Sequence, residues 1–177
     1  GIIRPRDYGD VDALITNEAN LPLTVFSADC GTVLLYDPLR QAAGAVHAGW
    51  RGCAAGIVKK TVEAMEAAYG SRPADLLAAL GPCIGQDCFE TDGDVPAAME
   101  AALGADAAPY IQVKGSKFHI DLAGLNRQWL LNAGLLPAHM EVSGICTACH
   151  PELFWSHRKI GNQRGVQAAV IALKESL

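Results

Sequence analysis

The chain has little of what nucleic-acid and membrane proteins use. Charged residues fill only 19% of its 177 positions, the net charge is −5, and no basic cluster offsets that acidic balance. A grip on a phosphate backbone needs a basic stripe, so no nucleic-acid partner is expected. No apolar run approaches the roughly 18 residues of a spanning helix, so no membrane partner is expected either. The opening Gly1-Ile2-Ile3-Arg4-Pro5 shows neither a basic n-region nor a small-residue cleavage site, and no export signal is read there. His-x-His, the repeated element of multicopper clusters, is missing, and five scattered histidines build such a cluster poorly. His-x-Glu with Pro-Cys-x-x-Cys, the cytidine-deaminase zinc signature, is missing too. So are the P-loop, the nucleophile elbow and the dinucleotide fingerprint.

What is present describes an ordered globular protein. Half the residues are apolar, and the length fits one domain with a sizeable core. Six cysteines (Cys30, Cys53, Cys83, Cys88, Cys146 and Cys149) could make three disulfides. A chain of this size needs no staples, so reduced thiols in a cytoplasmic enzyme are the better reading. Some of those thiols then serve as ligands or site residues, and others as small core residues.

Short Val-, Ile- and Leu-rich runs predict strands over Asp12 to Thr16, Leu23 to Ser27, Val33 to Tyr36 and Ala43 to His47. From Cys53 the spacing of Ile57, Val58, Thr61, Val62, Met65 and Tyr69 predicts a helix that Gly70 stops. Asp75 to Leu80 reads as a buried strand, and Asp94 to Leu103 as a second helix with Pro96 in its first turn. Gly104 to Gly115 reads as loop-like around a short apolar Tyr110-Ile111-Gln112-Val113 run, and Phe118 to Ile120 as a strand end. Asp121 caps a third helix that Gly134 ends. Two more strands are expected near Leu153 to Ser156 and Val166 to Leu173. Early strands without intervening helices argue against a parallel Rossmann sheet. They favour a layered α+β fold: a mixed β-sheet with flanking helices.

The chemically suggestive residues sit where strands end. Asp29-Cys30 closes the second strand and His47 the fourth, and adjacent strands would bring both to one sheet edge. A thiolate beside an imidazole suits either a Zn²⁺ site or a Cys–His nucleophile pair. It suits equally a buried cysteine with a hydrogen-bonded histidine. In His47-Ala48-Gly49-Trp50-Arg51-Gly52 the glycines permit close backbone approach. Arg51 could clamp phosphate, and Trp50 could stack on a ring. The same two residues also fit a core aromatic and a surface charge. Cys83 and Cys88, read with Cys146 and Cys149, could form a four-cysteine zinc site, for which His119 or His150 could substitute as ligands.

The ordered run Asp12-Ala13-Leu14-Ile15-Thr16-Asn17, Ser27-Ala28-Asp29-Cys30 and Ala45-Val46-His47-Ala48-Gly49-Trp50-Arg51-Gly52 resembles a known family. The likeness continues through Gly81-Pro82-Cys83-Ile84-Gly85, Cys88-Phe89-Glu90, Asp121-Leu122, Cys146-Thr147 and Leu153-Phe154-Trp155-Ser156-His157-Arg158. The family is that of the YfiH/YlmD-like purine nucleoside phosphorylases, long described as laccase-domain or multicopper polyphenol oxidase proteins. Bacterial relatives are also called peptidoglycan editing factors. The resemblance implies a layered fold, compared elsewhere with that of a deamidating toxin related to cysteine hydrolases. It implies one catalytic domain over residues 1–177 and a single Zn²⁺, copper belonging to the older description. Two of the family's metal ligands match Cys30 and His47. The third, a histidine in Gln-Val-His-Gly, would be expected shortly before Ile2. The resemblance therefore leads us to expect that the family's N-terminal segment is lacking.

The implied activities are phosphorolysis of adenosine, inosine, guanosine and methylthioadenosine, and deamination of adenosine. The partners are then a small nucleoside and phosphate, and the sequence sets no oligomeric state. Cys30 and His47 would hold the metal, Asp29 would orient a ligand, and Trp50, Arg51, Cys83 and Arg158 would contact substrate. Where the family often has Tyr-Arg-Arg, this chain has His157-Arg158-Lys159. Rival expectations are a Cys–His amide hydrolase, a zinc-stabilised interaction domain and a copper-dependent phenol oxidase.

Overall fold

The computed structural model describes residues 11–175, so the opening Gly1 to Pro5 stretch lies outside the described residues. Four strands lead the chain: β1 (Ala13–Thr16), β2 (Leu23–Ser27), β3 (Gly31–Asp37) and β4 (Ala42–Ala48). Helices α1 (Trp50–Ala54) and α2 (Ile57–Tyr69) follow, then β5 (Leu77–Leu80), β6 (Glu90–Thr91) and α3 (Asp94–Leu103). The hairpin β7 (Ile111–Lys114) and β8 (Lys117–Ile120) precedes α4 (Leu122–Asn132) and β9 (Met140–Val142). Helix α5 (His157–Ile160) and strand β10 (Gln167–Ile171) complete the order.

The main sheet runs β1-β4-β3-β5-β9, antiparallel except for the parallel β5–β9 pair, and is therefore mixed. Alternation along the strands decides which residues meet which layer. Val33 and Leu35 of β3, with Ala42, Val46 and Ala48 of β4, pack on Val58, Val62, Met65 and Leu130 of the helices. The opposite parity, Leu34, Tyr36, Ala43 and Ala45, packs on the antiparallel β2–β10 ribbon through Leu23, Val25 and Ile171, with Leu173 just past the ribbon's end. The alanine-rich β4 is thus buried on both faces. His47 shares the parity of Ala43 and Ala45, which sets it on the ribbon side at the strand's end. A second core joins Cys53 of α1, Met99 of α3, Ile120 and Leu125.

The expected helix from Cys53 is two helices. Gly56 takes a left-handed φ of 69°, which breaks the run, and the indole of Trp129 lies 3.5 Å from where a Cβ on Gly56 would stand. The stop at Gly70 holds, its N–H donating to the Glu66 carbonyl. Asp121 caps α4 by accepting the Gly124 N–H at 2.9 Å. Two expectations differ and one is refined. Residues 73–75 form a short 3₁₀ turn, so β5 starts at Leu77. The loop-like Gly104 to Gly115 stretch is ordered, a 3₁₀ segment leading into β7 on its apolar run. Leu153 to Ser156 forms no strand, because the Leu153 and Phe154 N–H groups both turn back onto the His150 carbonyl.

Candidate functional site

The β3–β4 ladder makes the site. Its register pairs Gly31 with Ala48 and Thr32 with His47, so Cys30, one residue ahead of β3, arrives beside the end of β4. The pair therefore meets through β3, whereas adjacency of the second and fourth strands was expected. A Cβ on Gly49 would lie 2.8 Å from the Cys30 Sγ and 3.7 Å from the His47 Cε1. Glycine there leaves room for thiol and imidazole on one side of the chain.

Behind His47, Asp12 Oδ1 sits 2.9 Å from Nδ1, and the His47 N–H donates to the Asp12 carbonyl at 2.8 Å. This fixes the ring and turns Nε2 toward Cys30. The hydrogen bond to Cys30 pushes His47 up to about 9, burial opposes it, and Asp12 adds to the rise.

Asp29 is buried with a φ of 82°, and both its carboxylate oxygens accept from the C-terminal loop. Its Oδ1 accepts the Thr147 hydroxyl at 2.6 Å. Its Oδ2 accepts the Ser156 hydroxyl at 3.0 Å and the Arg158 N–H at 2.7 Å. The Asp29 carbonyl also accepts the Ile84 N–H at 2.9 Å, tying in the Gly81 to Gly85 turn.

A cavity of about 380 Å³ opens beside Cys30, walled by Trp50, Arg51, Phe89, His157, Arg158 and Arg164. The Arg51 guanidinium lies over the Trp50 ring at 4.2 Å from its centroid. Arg158 spends its fork on backbone, Nη1 to the Cys88 carbonyl at 3.1 Å and Nη2 to the Glu90 carbonyl at 2.9 Å. The Nε of Arg164 is buried and finds no partner among the described residues. His47 itself lines a different cavity of about 510 Å³ between β1 and β2, which Asp12 also lines.

The structure thus gathers Asp29, Cys30, Trp50, Arg51 and Arg158 around one cavity and sets His47 beside Cys30. Cys83 goes elsewhere. It lines a separate cavity of about 200 Å³ with Gln86 and Asp121, and burial pushes its thiol up to about 12. The four-cysteine set also comes apart: Cys88, Cys146 and Cys149 converge without Cys83. His119 bonds the Gln86 carbonyl and His150 pairs with Glu152, so neither joins them. Sequence reasoning missed Asp12 as the partner of His47, and missed Arg164 and Phe89. A carboxylate at the start of the strand that flanks His47 was the one available signal. Arg164 lies in a segment with no local pattern to mark it.

A donor set of thiol and imidazole, the imidazole held from behind by a carboxylate, fits a Zn²⁺ ligand pair. The histidine expected before Ile2 lies outside the described residues.

Fold and site define a mixed α+β protein with a Cys–His pair whose cysteine lines a cavity walled by arginines. The chain belongs to the family described as multi-copper polyphenol oxidoreductase laccase, whose profile matches residues 3–174. Over 166 residues it is 36% identical to the purine nucleoside phosphorylase YlmD of Bacillus subtilis, covering 93% of this chain and 59% of that protein. A purine nucleoside phosphorylase of Bacteroides thetaiotaomicron is 39% identical over 158 residues, 88% of this chain and 58% of that one. The crystal structure of the Bacillus licheniformis hypothetical protein YfiH superposes with a TM-score of 0.89 at 36% identity. That match covers 92% of this chain and 61% of the other. The chain therefore spans about three-fifths of the length of these relatives. Among the described residues, no helix is long and apolar enough to cross a membrane.

Proposed function

We propose that the cavity beside Cys30 is the active site of a zinc-dependent purine nucleoside phosphorylase that also deaminates adenosine, with the 177 residues acting as one catalytic unit. The observation that carries this reading is the convergence of Arg51, Arg158 and Arg164 on one cavity beside the Cys30–His47 pair. A dianionic co-substrate needs such a cationic wall, and the chain's overall negative charge makes the local excess more telling.

Cys30 Sγ and His47 Nε2 would hold Zn²⁺, with Asp12 keeping the imidazole in the orientation that exposes Nε2. The ion supplies Lewis acidity toward a substrate oxygen or water. Arg51 and Arg164 hold phosphate so that one oxygen faces the ribose C1′. In phosphorolysis the C1′–O bond forms as the C1′–N9 bond breaks, and the purine leaves with that electron pair and takes up a proton. Trp50 and Phe89 offer ring faces to the base, and holding both partners in line supplies much of the rate. Asp29 acts through the loop it anchors, keeping Arg158 and His157 at the cavity wall. Nucleosides of adenine, hypoxanthine and guanine, and methylthioadenosine, are the substrates we expect.

The test is product analysis on adenosine with and without phosphate, alongside metal content of the intact protein. Adenine and ribose 1-phosphate formed only with phosphate, lost in Cys30→Ala, support the reading. Undiminished turnover by Cys30→Ala overturns it. The Asp12–His47 contact at 2.9 Å specifically favours a second reading, a Cys30 nucleophile with His47 as base and Asp12 as its orienting group. Amide hydrolysis by chelator-treated protein, blocked by alkylation of Cys30, would establish that reading instead.

A further inference from the structure

We propose that Cys88, Cys146 and Cys149, none of which lines the Cys30 cavity, form a second metal site, a three-thiolate seat for Zn²⁺. Their ligand atoms all lie within 4.8 Å of one another, and the Cys88 and Cys149 sulfurs are 3.4 Å apart. Zinc–sulfur bonds of about 2.3 Å in a tetrahedron set neighbouring sulfurs about 3.8 Å apart. The 3.4 Å pair is close to that value and no pair exceeds it by more than about 1 Å, so small rotamer changes complete the seat. A disulfide would need the Cys88 and Cys149 sulfurs at about 2.0 Å.

The backbone is arranged as thiolate sites require. The Gly85 N–H donates to the Cys146 Sγ at 3.1 Å, and the Cys149 N–H turns back onto the Cys146 carbonyl at 3.2 Å. That closes Cys146-Thr147-Ala148-Cys149 into a tight turn with both sulfurs on one side. A parallel bridge between Cys83 and Cys146 brings the two loops together, and the Thr147 N–H donates to the Cys83 carbonyl at 3.0 Å. Cys83 keeps its own thiol against the Ile84 carbonyl at 3.6 Å, outside the group. Cys149 is exposed and the other two are half-buried, so the ion is reachable and solvent supplies the fourth ligand.

The site reaches the cavity through main chain. Arg158 holds the Cys88 and Glu90 carbonyls, and Phe89 between them lines the cavity. Zinc on Cys88 therefore steadies a segment whose next residue forms part of the cavity wall. Each thiol gives up its proton to solvent as its sulfur–zinc bond forms, so loading is accompanied by proton release. This site stands independently of the nucleoside reading and can fail without it.

Cobalt(II) alone is the probe, titrated into the intact protein reduced with a phosphine. Thiolate ligation gives a near-ultraviolet charge-transfer band whose intensity follows the number of cobalt–sulfur bonds. We expect Cys30→Ser to keep most of that band, Cys83→Ser to leave it unchanged, and Cys149→Ser or Cys88→Ser to remove the larger part. Zinc should displace the cobalt at one equivalent in Cys30→Ser. Cys149 is exposed, so its serine variant should fold even where Cys146→Ser does not, and circular dichroism checks this. A band abolished by Cys30→Ser, or untouched by Cys88→Ser and Cys149→Ser, overturns the proposal. So does air oxidation that links Cys88 to Cys149 equally fast with and without zinc.

Discussion

The Asp29 carboxylate accepts the backbone N–H of Arg158 at 2.7 Å across 129 residues of sequence. That bond, with those from Thr147 and Ser156, joins the turn carrying Cys30 to the loop carrying two walls of the cavity. A sequence motif ahead of β3 and another ahead of α5 are thereby one structural unit.

Replacing Asp29 with Asn keeps a residue that tolerates positive φ but turns one acceptor into a donor facing donors. Losing charge-assisted bonds at a buried site should cost about 3 kcal/mol, measured by urea unfolding. The same variant should lower kcat more than it raises KM, because the loop is displaced while Arg51 stays. Unchanged stability would show that the three bonds carry no load.

Gly49→Ala tests the seat of the Cys–His pair. The backbone at Gly49, φ −68°, accepts alanine without strain, but its Cβ would stand 2.8 Å from the Cys30 sulfur. The sulfur must move, so zinc affinity should fall by about 10- to 100-fold with the far-ultraviolet spectrum unchanged. Competition with a chromophoric chelator measures the loss. Wild-type affinity in this variant would mean that Cys30 does not hold the metal.

His47 sets the pH dependence. Its hydrogen bond to Cys30, with Asp12 behind, raises it from 6.5 to about 9 in the metal-free protein. A raised histidine contributes stability that is fully present below about pH 6.5 and is lost as pH climbs through about 9. The metal-free melting temperature should therefore fall across that window, and fall less in Asp12→Asn. A metal competes with the same proton, so zinc affinity should rise about tenfold per pH unit toward pH 9 and then flatten. Calorimetry in buffers of different ionisation enthalpy counts the released proton.

Much of this was legible in the sequence where local rules decide. The spacing from Val58 to Met65, the Asp121 cap and the Gly70 stop each depend on neighbours within a turn, and each stands as read. Strand β9 has only three residues and exists through its parallel partner β5, so no local period marks it. Leu153 to Ser156 has strand-like composition, but the turn onto His150 outweighs propensity there. Cys30 and His47 were readable as reactive types at strand ends, and the ladder through β3 that joins them was not. Cys83 resembles its fellow cysteines in sequence, and only the fold, which buries its thiol against the Ile84 carbonyl, separates it from the thiols that converge.

The arginines of the cavity should not behave alike. Arg51 stacks on Trp50, and its guanidinium makes no hydrogen bond among the described residues, so its donors are free for an anion. Arg158 has two donors engaged by the Cys88 and Glu90 carbonyls, and its own N–H is held by Asp29. Arg51→Gln should therefore raise KM for phosphate about 10- to 100-fold while the melting temperature stays, as loss of a charged contact to substrate does. Arg158→Gln should lower the melting temperature and reduce kcat, because the Cys88–Glu90 wall loses its brace. Steady-state kinetics in phosphate, paired with thermal unfolding, separates the two. If both variants lose phosphate affinity equally at unchanged stability, Arg158 releases its backbone partners to bind the anion. If Arg51→Gln leaves KM unmoved, Arg51 does not hold phosphate, and the Cys–His hydrolase becomes the reading that the geometry supports best.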